Sequence, residues 1–355
     1  MLDINAIFGE NFPDRLMIVQ ADRVLEMHTP PFPPDAPAII PNVDPCQLAS
    51  LRDMLGGVYP PDHPVEWINE SDRQSLSLKN IADVAGSGHG TLLVHALPEG
   101  SSFELFQEVI AHLRAPDGCP WDRKQTHGSL RPYLLEETYE ALTALDAEDP
   151  GKMAEELGDL LLQIVLHAQI GSETGAFRMT DILRGVHDKI IRRHPHVFGD
   201  VVVHDEGGVL VNWERLKAEE RAVNGEPEKG MLDGVPVALP ALTQAQEIQE
   251  RAARVGFDWQ DIEPVRRKIL EELGEVDMAG DSVEREKELG DLLFAVVNLV
   301  RWHGVDAESA LRETNQRFRN RFSYIEKRSR QTGKPLLQMS LEEMDVWWEE
   351  AKDLE

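Results

Sequence analysis

Two stretches of this chain carry one acidic pattern. Leu135-Glu136-Glu137-Thr138-Tyr139-Glu140 is followed by Glu156-Leu157-Gly158-Asp159-Leu160-Leu161, and Leu270-Glu271-Glu272-Leu273-Gly274-Glu275 by Glu288-Leu289-Gly290-Asp291-Leu292-Leu293. Each copy reads EExxE, a short interval, then ExxD. Residues three or four apart share a helix face, so each copy predicts two consecutive helices whose acidic faces meet when the chain folds back. Asp149-Pro150-Gly151 supplies the turn in the first copy. A single ExxE is usually a solvated face. Here the acids alternate with leucines that predict burial, and the same Glu-Leu-Gly-Asp-Leu-Leu string recurs, which argues for carboxylates carried to the edge of a core.

Four carboxylates brought together in a partly dry cleft cannot all stay ionised without a compensating cation. An all-oxygen donor set suits Mg2+ or Mn2+ better than zinc, since no Cys or His stands at matching positions in either copy. Mg2+ keeps waters and engages substrate phosphates, so the implied ligand carries a di- or triphosphate.

The 64 acidic and 36 basic residues give a formal charge of -28, which argues against binding nucleic acid or an anionic membrane through the overall field. Cys46 and Cys119 are too few for a disulfide framework and fit a reducing compartment. No signal peptide or membrane-length apolar run is visible. The expectation is a cytoplasmic protein.

Residues 1–100 differ from the rest. A proline-rich stretch from Pro30 to Pro45 and short β-type runs at Leu16–Val19, Ala38–Ile40, Val65–Ile68 and Thr91–Val94 predict a small α/β segment. From Ser102, a candidate N-cap, the chain reads as helices. A first helical domain spans 101–224, and 225–240 is a linker with three prolines. A second domain, 241–355, predicts helices at Leu242–Arg254, Pro264–Met278, Val283–Trp302, Ala307–Thr332 and Leu341–Lys352. The fold expected is mainly α: two tandem helical bundles, an internal repeat matched at its acidic motifs, after the α/β segment.

From about Phe103 onward the sequence resembles the MazG family of nucleoside triphosphate pyrophosphohydrolases. The resemblance rests on the acidic motifs together with Gly118-Cys119-Pro120-Trp121-Asp122, Arg192-Arg193-His194-Pro195-His196-Val197-Phe198, Leu239-Pro240-Ala241-Leu242 and Val255-Gly256-Phe257-Asp258-Trp259. It implies an all-α fold, Mg2+ dependence, hydrolysis of nucleoside triphosphates to monophosphate and pyrophosphate with broad base tolerance, and a homodimer. Tyr59-Pro60-Pro61-Asp62-His63-Pro64-Val65 is similar to the C-terminal part of a tetrapyrrole methylase domain. Its glycine-rich turns for S-adenosylmethionine are missing, so residues 1–100 read as a remnant without that activity.

The metal ligands expected are Glu272, Glu275, Glu288 and Asp291 in the second copy and Glu137, Glu140, Glu156 and Asp159 in the first. Glu271 or Glu272 would accept the proton of the attacking water. Arg317 and Arg321, four apart on one helix face, and Trp348 with Lys352, again four apart, match positions the family uses for the triphosphate and nucleotide. The family also tends to carry a lysine just before Glu288; within Glu284-Arg285-Glu286-Lys287, Arg285 or Lys287 is the available substitute. In two-copy relatives the C-terminal copy is the active one, which makes the first a scaffold or weaker site. His194 and His196, two apart around a proline, suit a cap or turn better than a metal. Trp121 and Trp259 suit base stacking or core packing equally. The alternative is a nucleotide-binding sensor that keeps the metal sites with little turnover.

Overall fold

The structure is a computed structural model. It describes residues 7–9, 12–69, 72–84, 88–203 and 230–354, together with 205, 208, 209, 212, 213, 215–217 and 220. The chain divides into two compact units, Met1–Ala141 with Gly151–Gly185 and Leu142–Pro150 with Val186–Glu355. The sheet and the first helices thus share a unit, with no division at residue 101. Of the 225–240 linker, residues 225–229 lie outside those described. The chain is mainly α, with one small sheet near its N-terminus.

In the first unit, β1 (Met17–Ile18), β2 (Ala38–Val43), β3 (Pro64–Ile68), β4 (Arg73–Ser77) and β5 (Gly90–Val94) form a sheet in the order β1-β2-β5-β3-β4. Only the β1–β2 pair is parallel. Side chains alternate across the pleat. Ile40, Val65, Trp67, Leu92 and Val94 face α1 (Ala21–Leu25) and α2 (Leu48–Leu55) in one core, and Ile39 with Leu93 meet Ile7 on the other side. Fully burying Leu51 and Leu55 contributes roughly 2 kcal/mol each. Gly90 is obligatory, because a Cβ there would run into the Trp67 ring. The expected strands are all present. β4 was not expected: Arg-Gln-Ser-Leu-Ser has no β-branched residue, and its pairing with β3, helped by the Arg73–Glu66 ion pair, overrides weak propensity.

The same unit holds α3 (Phe103–Arg114), capped by Ser102, whose Oγ accepts from the Leu105 amide at 3.3 Å, most of α4 (His127–Asp146), nearly all of α5 (Pro150–Thr174) and the start of α6 (Met179–Arg193), the last residues of α4 and α6 falling in the second unit. Ile110, Leu130, Val165, Leu166, Ile170 and Met179 make their small core. Arg114 fastens α3 to α5. Its side chain is 5 % exposed, and Nε and Nη2 donate to Glu173 at 2.8 and 2.7 Å while Nη1 donates to the Gln125 carbonyl at 3.2 Å.

The second unit contains α7 (Ala241–Arg254), α8 (Ile262–Met278), α9 (Ser282–Trp302), α10 (Ala307–Thr332) and α11 (Leu341–Lys352), close to the expected bounds. Caps set these ends. Asp281 accepts from the amides of Val283 and Glu284 at 2.9 and 2.8 Å, Asp306 from Ser309 at 2.7 Å, and Ser340 with Glu343 forms a capping box. Gly333, at φ 72°, ends α10 in the left-handed conformation. Ala279-Gly280-Asp281 turns α8 back along α9, and α7 packs on α9. No helix among the described residues is long and apolar enough to cross a membrane.

The Arg114 guanidinium holds Glu173 below the usual carboxylate range, so the unfolded chain binds more protons than the folded one as pH falls through that range. The contribution is present above the ordinary carboxylate pKa and lost below it. Glu173→Gln should therefore lower stability at pH 7 by about 1 kcal/mol, allowing for partial exposure, and the gap should close at pH 3 in urea titrations.

Candidate functional site

The α8–α9 hairpin of the second unit brings Glu272, Glu275 and Glu288 together, with one oxygen from each within 4.8 Å of the others. Glu272 is 4 % exposed and Glu288 9 %. Helix spacing explains the convergence: Glu272 and Glu275 are three apart on α8, and the tight turn lays Glu288 of α9 across from them. Loss of hydration, the Glu272 charge and a hydrogen bond with Glu288 raise the carboxyl pKa of Glu275. Asp291, one turn beyond Glu288, is half a step removed and joins the group through Lys287, whose Nζ lies 3.1 Å from Glu288 and 3.5 Å from Asp291.

Sequence reasoning missed one member of this group. Lys268, one turn before Glu272, places its Nζ 2.6 Å from Glu272 Oε1 and 2.7 Å from Glu271 Oε1. The two carboxylates hold this ammonium strongly protonated. An i,i+4 Lys–Glu pair is ordinary on helices, and nothing in the sequence marked this one as lying at a site. Glu272 Oε2 is left buried without a hydrogen-bond partner. Of the two lysine substitutes, Lys287 faces the acids, whereas Arg285 donates to the Ala279 carbonyl at 3.3 Å.

The α4–α5 hairpin brings together Glu137, Glu156 and Asp159, again within 4.8 Å, a trio that includes the aspartate and leaves out Glu140, where the second copy includes Glu275 and leaves out Asp291. Glu137 is raised by loss of hydration and then by Asp159 and Glu140; Glu156 is raised by loss of hydration and by Glu140, which hydrogen-bonds it. Tyr133 and Glu155 stand where the second copy has Lys268 and Lys287. The leucines beside the acids are not all buried as their spacing suggested: Leu135, Leu157 and Leu161 are exposed in the first unit, and Leu270, Leu273, Leu289 and Leu293 in the second.

A cavity of about 450 Å³ opens beside the second cluster. Glu272, Asp291 and Lys268 line it together with Phe257, Trp259 and Phe294. Along α9, Asp291, Phe294, Asn298 and Arg301 fall on successive turns, so about 15 Å of helix runs from the acids to a polar end. There Arg301 Nη2 donates to both Asp258 oxygens at 2.8 and 2.9 Å and to Asn298 Oδ1 at 2.7 Å. The volume lies in the range of small-molecule sites.

The other expected residues sit elsewhere. Arg321 lies over the Trp348 ring at 5.4 Å, joining α10 to α11. Arg317 pairs with Glu313 at 3.4 Å and donates to Thr314 at 2.8 Å, and Lys352 pairs with Glu349 at 2.5 Å, each within its own helix. None of these four lines the cavity among the described residues. His194 Nδ1 donates to the Ile190 carbonyl at 2.8 Å, a role at the end of α6. Trp121 is half exposed and meets Tyr133 edge-on, while Trp259 lines the cavity.

Two helical hairpins each bring carboxylates together, and a cavity and two lysines lie beside the second. The model of the MazG nucleotide pyrophosphohydrolase domain matches residues 125–198. A Thermotoga maritima protein named nucleoside triphosphate pyrophosphohydrolase/pyrophosphatase MazG is 47% identical over 253 residues, 71% of this chain and 96% of that protein. The Escherichia coli K12 nucleoside triphosphate pyrophosphohydrolase is 44% identical over 250 residues, 69% of this chain and 94% of its own length. Bacillus subtilis YabN, named as uncharacterized, is 49% identical over 257 residues, 71% of this chain and 52% of YabN. The chain belongs to the MazG family.

Without divalent cations, Lys268→Met leaves the buried Glu272 carboxylate without its ammonium partner. Urea unfolding in chelator should show a loss of roughly 1–3 kcal/mol, because the acceptor keeps its desolvation cost and loses its hydrogen bond.

Proposed function

We propose that this chain hydrolyses nucleoside triphosphates to nucleoside monophosphate and pyrophosphate, with broad base tolerance, at the acidic cluster of its second unit. The supporting observation is the shared cavity: the buried Glu272, the exposed Asp291 and Lys268 line one part of it, and aromatic and amide side chains much of the rest. The names of the Thermotoga and Escherichia coli relatives agree with this reading.

The residues fit a hard divalent cation, Mg2+ or Mn2+. The donors are all carboxylate oxygens, Glu272 Oε2 is buried and unpartnered, and four acids outnumber the two lysines beside them. Glu272, Glu275, Glu288 and Asp291 would hold it, and when bound it supplies charge neutralisation at the phosphates and a more acidic water. Glu271 or Glu272 takes the proton as the water oxygen attacks the α-phosphorus. The bond from that phosphorus to the bridging oxygen breaks, and pyrophosphate leaves. Lys268 and Lys287 are close enough to exchange carboxylate for phosphate oxygens as the charge develops. Arg317, Arg321, Trp348 and Lys352, which do not line the cavity among the described residues, are kept in this reading as family positions for further nucleotide contacts.

The hairpins are two copies of one repeat. Glu137, Glu140, Glu156 and Asp159 form a second metal set, but with Tyr133 and Glu155 in place of lysines the first copy serves as scaffold or weaker site. The exposed leucines flanking both acidic sets support a homodimer that covers them. Residues 1–100 are read as the tetrapyrrole-methylase-like remnant, and the protein as cytoplasmic. Pool cleaning is the physiological role we favour.

Glu272→Ala and Asp291→Ala should each cut release of monophosphate and pyrophosphate from ATP by more than about 100-fold, with helical circular dichroism retained. Glu137→Ala should leave most of it. Anion-exchange chromatography of the products checks both, and undiminished activity in the first two variants would assign the reaction elsewhere.

A further inference from the structure

One polar group in the second unit's cavity is unused by the phosphate chemistry. Gln249, on α7, is 7 % exposed. Its Nε2 donates to the main-chain oxygen of Phe294 at 2.9 Å, while its Oε1 is buried with no hydrogen-bond partner. The Phe294 carbonyl can only accept, so it dictates which way the amide stands: nitrogen against the carbonyl, oxygen left over. Gln249 shares the cavity lining with the apolar Ala252, Phe294 and Ala295 and with the donors Trp259, Lys268, Asn298 and Arg301, none of which bonds its Oε1. A buried acceptor without a donor is uncommon and costly, and a ligand donor would relieve it.

We infer that Gln249 is a specificity-determining residue: its Oε1 accepts a hydrogen bond from an N–H on the edge of the nucleobase. This rests on the reading of the cavity as the nucleotide site. The aromatic walls suit a flat base, and because Nε2 is committed to Phe294, Gln249 can reward only donors. Every common base satisfies such a reader. Adenine and cytosine offer an amino group, guanine an amino and a ring N–H, uracil and thymine a ring N–H. Deamination exchanges an amino donor for a neighbouring ring N–H, so hypoxanthine and uracil pass as well. A base with no N–H on that edge is refused. Broad tolerance here is an acceptor that all natural bases can meet, and not the lack of a contact.

The test uses full-length protein with Mg2+ and triphosphates carrying an α,β-methylene link, which cannot be cut there. Calorimetry compares the adenosine, inosine, 2′-deoxyadenosine and purine riboside compounds. Adenosine and inosine forms should bind alike, and the purine riboside form, which lacks the amino group, about tenfold more weakly, the equivalent of one hydrogen bond. Gln249→Met should erase that gap by weakening only the first two. Equal affinity of adenosine and purine riboside forms in the natural protein, a gap that persists in Gln249→Met, discrimination by the sugar alone, or no binding would each overturn the inference. The comparison in the natural protein suffices should the variant misfold. ATP turnover is measured separately: a tenfold gap without pyrophosphate release keeps Gln249 and removes the hydrolase reading, whereas release without a gap does the reverse.

Discussion

Everything at the site depends on carboxylates being forced together against their mutual repulsion. Glu272 and Glu288 are buried on facing helices, and their charges would part the α8–α9 hairpin if packing did not hold it. The short Ala279-Gly280-Asp281 turn, with Asp281 capping α9, leaves little freedom to slide, so register is fixed close to the acids. α7 on the other side of α9 closes the cavity wall. The crowding shows at Glu275, which loss of hydration and the neighbouring Glu272 and Glu288 make harder to ionise.

The two hairpins show how the same backbone device can be tuned by its cations. In the second, Lys268 and Lys287 sit within salt-bridge distance of the acids and partly offset their repulsion before any ligand arrives. In the first, loss of hydration and neighbouring carboxylates raise Glu137 and Glu156, and Glu140 hydrogen-bonds Glu156. A site that carries its own ammonium groups can hand them to an anionic substrate. A site without them can hold a cation yet has little with which to grip a triphosphate.

Most helices were legible because their signals are local. The limits of α10 and α11 follow from Asp306, Gly333 and the Ser340–Glu343 box, all readable in the chain, and the acidic hairpins follow from spacing alone. The strand β4 was not, since an edge strand made of polar residues owes its existence to its partner. Lys268 and Gln249 escaped for a related reason: each looks like an ordinary residue of an amphipathic helix, and only tertiary packing shows that one touches a buried acid and the other presents an unpaired carbonyl to a cavity. The leucines erred in the opposite direction. Their spacing signals a covered face, but it does not say whether the cover comes from the same chain. Nor does spacing reveal that Arg317 and Lys352 pair within their own helices.

The layout of the cavity bears on how such a site can be both firm and permissive. Charge lies at the acids and lysines, and in the proposed reading a triphosphate meets that end with the same groups whatever its base. Discrimination has to come from the remaining wall, where Phe257, Trp259 and Phe294 offer area without direction. Of the polar groups there, the Arg301 guanidinium is committed to Asp258 and Asn298, which stiffens the far end and spends donors that could otherwise have selected one base. A guanidinium already committed to Asp258 and Asn298 oxygens adds little selection by hydrogen bonding at that end. What the wall excludes by shape is set by the rigid Arg301–Asp258 pair, and selectivity in relatives should change when that pair is altered and the acids are kept.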